Sequence, residues 1–197
     1  MPANKKVTRE MILNAAMDVF RKEGFEAVNA RSVAKEINCS TQPIYVEFNS
    51  MDEIKKIIKD EALELHAKKI NDALSKSDGK AYLAYGMGFV EFARTEKMLF
   101  KFFYLGSDNI EKEIDYIHYE DIISTIQREY GYTRENAVKF HRDMSIFSLG
   151  LSIMLYLGKN SMSTEEIMSR LDSEFRALTA VYGKPARYPH PEEHIND

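Results

Sequence analysis

The chain has 197 residues, 44% of them hydrophobic and 29% charged, with a formal net charge of −4. This is the profile of one large soluble globular domain, or of a small domain joined to a larger one. A single cysteine, Cys39, excludes an intrachain disulfide framework and suits a reducing cytoplasm, and the longest uncharged run, Met144 to Gly158, is shorter than the roughly 20 residues of a membrane span.

The opening MPANKKVTRE leads into an amphipathic pattern rather than the apolar run of a signal peptide. Periodicity is helical almost throughout, with no alternating strand and no internal repeat. The first helix is expected from about Thr8 to Lys22. Ile12, Ala15, Ala16, Val19 and Phe20 fall in one stripe, Thr8 is placed to cap it and Gly24 to stop it. A short helix follows, with Asn29 capping ARSVAKEI and Val33, Ala34 and Ile37 facing inward. A third begins within CSTQPIYVEF, residues 39–48. With Ser40 as the N-cap, Thr41, Gln42 and Pro43 are its first three residues. The first four N–H groups of a helix have no intrahelical partner. Pro43 therefore removes no helical bond, and its φ is already helical. Ile44 and Phe48 then face inward, and Thr41, Gln42, Tyr45 and Val46 point outward.

Ser50 and Glu53 form a capping box that opens a long helix carrying Ile54, Ile57, Ile58, Ala62 and Leu65, and SKSDG, residues 75–79, ends it. Next come KAYLAYGMGFVEFA, then EKMLFKFFYL up to Gly106, then a helix from about Asp108 to Tyr130 stopped by Gly131. The helix from about Thr133 to Leu157 ends in MSIFSLGLSIMLYLG, apolar or small on every side. Such a helix must be covered all round. A partner subunit is the economical cover for one side, with Ser145, Ser148 and Ser152 admitting a close approach. A second capping box, Ser163 and Glu166, opens the last helix, with Ile167, Leu171, Phe175, Leu178 and Tyr182. KPARYPHPEEHIND, from Lys184 on, reads as a disordered tail.

A helix, a short turn and a second helix presenting small polar residues make a helix-turn-helix. The N-terminal residues of such a second helix meet base edges in the major groove. Charge gives little support, because residues 1–60 hold ten Lys/Arg against nine Asp/Glu. The stretch GFEAVNARSVAKEINCSTQPIYVEFNSMDEI resembles the DNA-binding region of the tetracycline-repressor (TetR) family. The shared features are a Gly-aromatic pair after the first helix, the second helix around RSVAKEI, then C-S-T-x-x-I-Y-x-x-F and a capped fourth helix. The resemblance covers about residues 8–55, and the remainder is similar in layout only.

The resemblance implies an all-α, homodimeric bacterial transcriptional regulator, usually a repressor that a small molecule releases from DNA. It implies a helix-turn-helix domain over residues 1–51, a helical effector-binding and dimerisation domain over 52–183, and the tail over 184–197. The expected partners are double-stranded DNA with a palindromic operator, a second copy held through the last two helices, and a small-molecule effector, with no membrane. Carried over by residue, Gln42 pairs with adenine, and Thr41 touches a thymine methyl or a phosphate. Tyr45 contacts the backbone, and Thr8, Arg31 and Ser32 hold phosphate at helix N-termini. Ser40 and Lys55 complete the expected DNA-binding set. Glu47 places a carboxylate where many relatives carry His or Tyr, and Asn49 and Met51 stand where lysines are common. Lys55 and Lys56 offset this from the fourth helix.

Several residues keep two readings. Gln42 is a base reader or a merely solvated side chain, and Tyr45 a phosphate contact or a ring packed on the first helix. Tyr82, Tyr85, Phe89, Phe103, Tyr104, Tyr116, His118 and Phe147 line an effector pocket or are ordinary core. Gly86 and Gly88 make room for a ligand or for a close helix. His66, His118, His141 and Arg142 are polar candidates for orienting a ligand, or structural residues. HPEEH is not a zinc motif, since Pro191 interrupts it. No Gly-rich phosphate loop, no G-x-S-x-G and no clustered metal ligands occur, so no cofactor, metal or catalytic residue is expected. The alternative function is a DNA-binding regulator without a small-molecule effector, controlled by a protein partner or by abundance. A helical enzyme is a third reading, against which the lack of motifs counts.

Overall fold

The computed structural model describes residues 7–75, 81–106, 111–158 and 161–183, with side chains from residue 119 on in the third stretch. The tail with HPEEH, most of SKSDG, the start expected at Asp108, and the side chains of Tyr116 and His118 lie outside the described residues. The fold is all-α, with no strand among the described residues. Packing divides the chain into two units. One takes residues up to Lys68 together with Thr95–Glu111, and the other takes Lys69–Arg94 and the chain from Lys112 on. The first unit therefore reaches beyond the helix-turn-helix segment of residues 1–51.

In the first unit, α1 (Arg9–Glu23) buries Ile12, Ala15, Ala16, Val19 and Phe20, the stripe its period dictates. The Thr8 hydroxyl caps it by accepting the Met11 N–H at 3.3 Å, and Gly24 stops it at φ 99°, a conformation that favours glycine. A 3₁₀ turn (Phe25–Ala27) leads to α2 (Ala30–Ile37) and α3 (Gln42–Glu47). Next comes α4 (Met51–Ser75), which runs through the division at Lys68. The unit closes with α6 (Lys97–Tyr104), which follows α5 (Ala81–Thr95) in the chain. Val33, Ile44, Phe48, Ile54, Ile58, Leu99, Phe100 and Phe103 complete the core. Each fully buried side chain of this size contributes about 1.5–3 kcal/mol. Phe102 of α6 lies edge-on to Phe20 with centroids 5.1 Å apart and 4.5 Å from Phe25. Arg21 forks onto Glu96 through bonds of 2.8 and 2.7 Å.

The second unit holds the end of α4, α5, α7 (Glu111–Tyr130), α8 (Arg134–Tyr156) and α9 (Thr164–Tyr182). Thr133 caps α8, and the Ser163–Glu166 capping box at the start of α9 is complete on both sides. An aromatic core joins Tyr82, Tyr130, Phe140 and Phe175, with Phe140 and Phe175 edge-on at 5.3 Å. Gly88 settles one open reading. A Cβ there would stand 3.0 Å from the Ala73 Cβ and 3.2 Å from the Ile70 Cα, so this glycine admits a close helix. On α8, Ser148 and Ser152 are buried in the unit's own core rather than offered to a partner. The exposed face instead carries Ile146 (66% exposed), Met154 and Leu157, because the residues three and four apart that face the core claim the serines. No described helix is long and apolar enough to cross a membrane.

Candidate nucleic-acid interface

Helix α2 is pinned at its start from both sides. The Asn29 carbonyl oxygen of the side chain accepts the Arg31 and Ser32 N–H groups at 3.0 and 3.1 Å, and the Ser32 hydroxyl accepts the Asn29 N–H at 3.0 Å. That hydroxyl also donates to Ala27 at 2.7 Å, so Ser32 is engaged in shaping the helix start. Arg31 beside it is exposed. The helix ends on Asn38, which adopts the left-handed conformation at φ 59°. Asparagine tolerates this better than other side chains. The Cys39 N–H then returns to the Ala34 carbonyl at 2.9 Å, which turns the chain sharply into α3.

The start of α3 differs from the expectation by one residue. Thr41, not Ser40, is the N-cap, and Pro43 is the second helical residue. Thr41 already has helical dihedrals (φ −74°, ψ −15°) and makes no side-chain cap bond, while its carbonyl accepts the Ile44 N–H at 3.2 Å. The missing N–H of Pro43 still falls among the unpaired donors, so the proline opens the helix as its chemistry requires. Ile44 and Phe48 are buried. Gln42 is exposed, Tyr45 is 57% exposed and Val46 75%. These three stand at i, i+3 and i+4, one solvent face of the helix. Ser40 is exposed and Thr41 half-buried beside them. Val46 had the outward spacing in sequence but, being apolar, gave no signal of a site.

Arg9 is a second residue that sequence reasoning missed. From the first turn of α1 its guanidinium donates to the Glu47 backbone oxygen at 2.9 Å and to the Glu53 carboxylate at 2.7 Å, and lies 3.9 Å from the centre of the Phe48 ring. It thereby holds the end of α3 against the start of α4. Glu53 also accepts the Asn49 N–H at 3.0 Å, while its own N–H reaches the Ser50 hydroxyl at 3.3 Å. The expected capping box is thus shifted, with the carboxylate bonded to Asn49 rather than Ser50. The Arg9 bond first, then the Asn49 N–H, hold the Glu53 carboxyl below the usual carboxylate range. Lys55 is half-buried with its ammonium 5.3 Å from the Phe25 ring centre. Lys22 is ion-paired to Glu36, whereas Arg31, Lys35 and Lys56 make no ion pair among the described residues.

The expected pocket residues separate. Phe103 is core of the first unit, and Tyr104 there donates to or accepts from His66 Nε2 at 2.9 Å. In the second unit Phe89 is buried and Phe147 half-buried. Tyr82 and Tyr85 line a partly open cavity of about 120 Å³. Its other walls are Ile70, Asn71 and Leu74 of α4, Ala81 of α5, and Asp121, Ile122 and Thr125 of α7. Behind it the Tyr82 hydroxyl meets His141 Nδ1 at 3.1 Å. Burial pushes the imidazole down to about 4 and the Tyr82 phenol well above its ordinary value. Both are therefore neutral near pH 7, with the phenol donating and the imidazole proton on Nε2. Among the described residues no three of His, Cys, Asp and Glu are grouped to hold a metal.

This geometry has counterparts among known proteins. Residues 12–56 match the family described as bacterial regulatory proteins, tetR family. No curated protein matches the chain in sequence. Solved structures share the fold across nearly the whole chain. A TetR-like transcriptional regulator from Rhodococcus sp. RHA1 has a TM-score of 0.63 at 15% identity, covering 92% of this chain and 99% of its own. Another transcriptional regulator from the same source gives 0.60 at 14%, with coverage of 93% and 100%. A TetR/AcrR-family regulator from Thermobifida fusca gives 0.52 at 18%, covering 89% and 98%.

Proposed function

We propose that the chain is a transcriptional regulator of the tetR family, whose model residues 12–56 match, and that it acts as a homodimeric repressor that a small molecule releases from a palindromic operator. The observation that carries the DNA-reading part is the exposed face of α3, where Gln42, Tyr45 and Val46 project together from a helix anchored by Ile44 and Phe48. Gln42 offers a donor and an acceptor for adenine, Val46 an apolar surface for a thymine methyl, and Tyr45 a hydroxyl for phosphate. Arg31, Thr8 and Lys55 supply flanking phosphate contacts.

The second copy docks on α8 and α9. Ile146 and Met154 on α8, Leu157 at its C-cap, and Met168 and Val181 on α9 are large apolar side chains left exposed on the single chain. Covering them removes apolar area from water, the usual drive for a permanent dimer. Two copies related by a two-fold axis then read half-sites about one helical turn apart, roughly 34 Å. The effector enters the cavity beside Tyr82 and Tyr85, and acts through unequal affinity for the DNA-competent and released states.

A second reading has its own support. Ligand cavities commonly measure about 300–1,000 Å³, and this one measures about 120 Å³. A regulator without an effector, set by a protein partner or by its own abundance, fits so small a cavity. One experiment separates the two. Bound fragments are selected from a random double-stranded pool, and the enriched site is titrated with protein while small molecules are screened for release. An enriched palindrome with release by a compound that fails on a Tyr85→Trp variant supports the effector reading. A palindrome that no compound releases favours the second, and no enrichment at low salt removes both.

A further inference from the structure

The cavity of the second unit is uneven in charge. Asp121 is the one charged group among the described residues that line it. The carboxylate is exposed at the mouth and makes no ion pair or hydrogen bond with any described residue. Thr125 lies one helical turn further along α7, and Asn71 faces the same space from α4, so oxygen acceptors come from both helices. The deep wall is neutral. Tyr82 has its hydroxyl committed to His141, and burial keeps that imidazole uncharged. Tyr85 stacks on Tyr82 with centroids 6.5 Å apart and planes at 24°, so two aromatic rings, which attract cations, border the cavity. Among the described residues no lysine or arginine lines the cavity; the Arg128 guanidinium reaches the Thr125 hydroxyl at 3.4 Å, which leaves Asp121 as the main acceptor for a cation.

Size limits the occupant. The cavity, at about 120 Å³, is somewhat smaller than the roughly 150 Å³ engineered cavity that takes one benzene. Because the cavity is partly open, it takes a short chain, or one small ring whose polar end stays at the mouth. We propose that this cavity selects a small organic ammonium ion, its N–H groups bonded to Asp121 and Thr125 and its apolar body held between Tyr85, Ile70 and Ile122. The inference rests on the reading of this cavity as the effector site, and names the chemical class that site takes.

The test uses three probes of one shape and different charge, benzylammonium, benzyl alcohol and benzoate. Each is titrated calorimetrically into the full-length protein at neutral pH. Benzylammonium is expected to bind about five- to tenfold more tightly than benzyl alcohol, the scale of one exposed ion pair with a ring contact, and benzoate not to bind. In Asp121→Asn the ratio between the ammonium and the alcohol falls to near one. Asp121 is exposed and unpartnered, so this variant folds, which circular dichroism verifies; Thr125→Val, changing a second acceptor, lowers the ratio in part. Equal binding of the ammonium and the alcohol, preference for benzoate, an unchanged ratio in Asp121→Asn, or no binding of any probe would overturn the proposal. Operator release followed in parallel keeps the two readings apart. Asp121-dependent ammonium binding without release leaves the selectivity standing and removes the effector role. Release by benzoate does the reverse.

Discussion

Arg9 and Glu53, 44 positions apart in the chain, meet at 2.7 Å, and between them they fix where α3 ends and α4 begins. Arg9 touches the Glu47 carbonyl and the Phe48 ring from the same position. It contacts the frame of the reading helix and not its exposed face. Arg9→Ala is therefore expected to weaken binding to the preferred operator while leaving the order of preference among base substitutions unchanged. Competition binding against a panel of single-base operator variants checks this, and an altered preference at one base pair would place Arg9 on the DNA instead. The same pair sets an acid response. The Glu53 carboxyl is held below its usual range in the folded state, so its stabilising effect is present above the ordinary carboxylate value of about 4.3 and disappears as pH falls through the lower folded value. Glu53→Gln should show a shallower loss of stability across that interval in urea titrations.

On the exposed face of α3, Gln42→Ala is expected to relax readout at one base position and to cost about 1–3 kcal/mol on the preferred site. Val46→Ala should act at a neighbouring position through the lost methyl contact, with a smaller effect. Both effects should vanish on random DNA. A selection repeated with each variant reports which column of the operator motif flattens.

The His141 imidazole is buried and neutral, with Tyr82, Tyr85 and Tyr119 around it and its pKa lowered to about 4. An unfolded histidine titrates near 6.5. As pH falls below that value the unfolded state takes up a proton that the folded state refuses, so stability declines between about 6.5 and 4. Going from pH 7 to pH 5 should cost about 2 kcal/mol at this site. Urea midpoints at the two values test it, with His141→Gln as the non-titrating control. Equal pH dependence in the control would mean that other groups carry the effect.

Two glycines of α5 should respond in opposite directions. A Cβ on Gly86 would meet the Leu171 side chain at 3.7 Å, ordinary contact, so Gly86→Ala is expected to stabilise by about 0.5–1 kcal/mol through helix propensity. A Cβ on Gly88 would stand 3.2 Å from the Ile70 Cα, which is backbone and yields little. Gly88→Ala is expected to destabilise in spite of the same propensity gain. Thermal melts of the two variants give the comparison directly.

Much of this architecture was legible because it is local. The stripe of α1 and the double-sided box at Ser163 and Glu166 follow from spacing within a few residues. The outward face of α3 followed from where Ile44 and Phe48 must point. The slip from Ser40 to Thr41 at the start of α3 lies within one residue, where competing caps differ little in energy. What spacing hides is contact between distant segments. Arg9 reads as one more solvated charge until α4 brings Glu53 to it. Asn71, Asp121 and Thr125 read as polar faces of separate helices, and only packing makes them the rim of one cavity. Of the aromatic residues expected at the pocket, Tyr82 and Tyr85 line the cavity, whereas Phe89 and Phe103 are buried without bordering it, because rings fill interiors as readily as they border cavities.

The fork between Arg21 and Glu96, and the ring of Phe102 set against Phe20 and Phe25, have a temporal meaning. A chain made from its amino end at about 5–20 residues per second has finished α1, α2 and α3 seconds before α6 leaves the ribosome. The helices that meet DNA are thus the first to be synthesised but not the first unit able to close. They wait, with the Phe20 and Phe25 edges still wet, until all of α5 has been made. The first unit is completed by a segment encoded after part of the second.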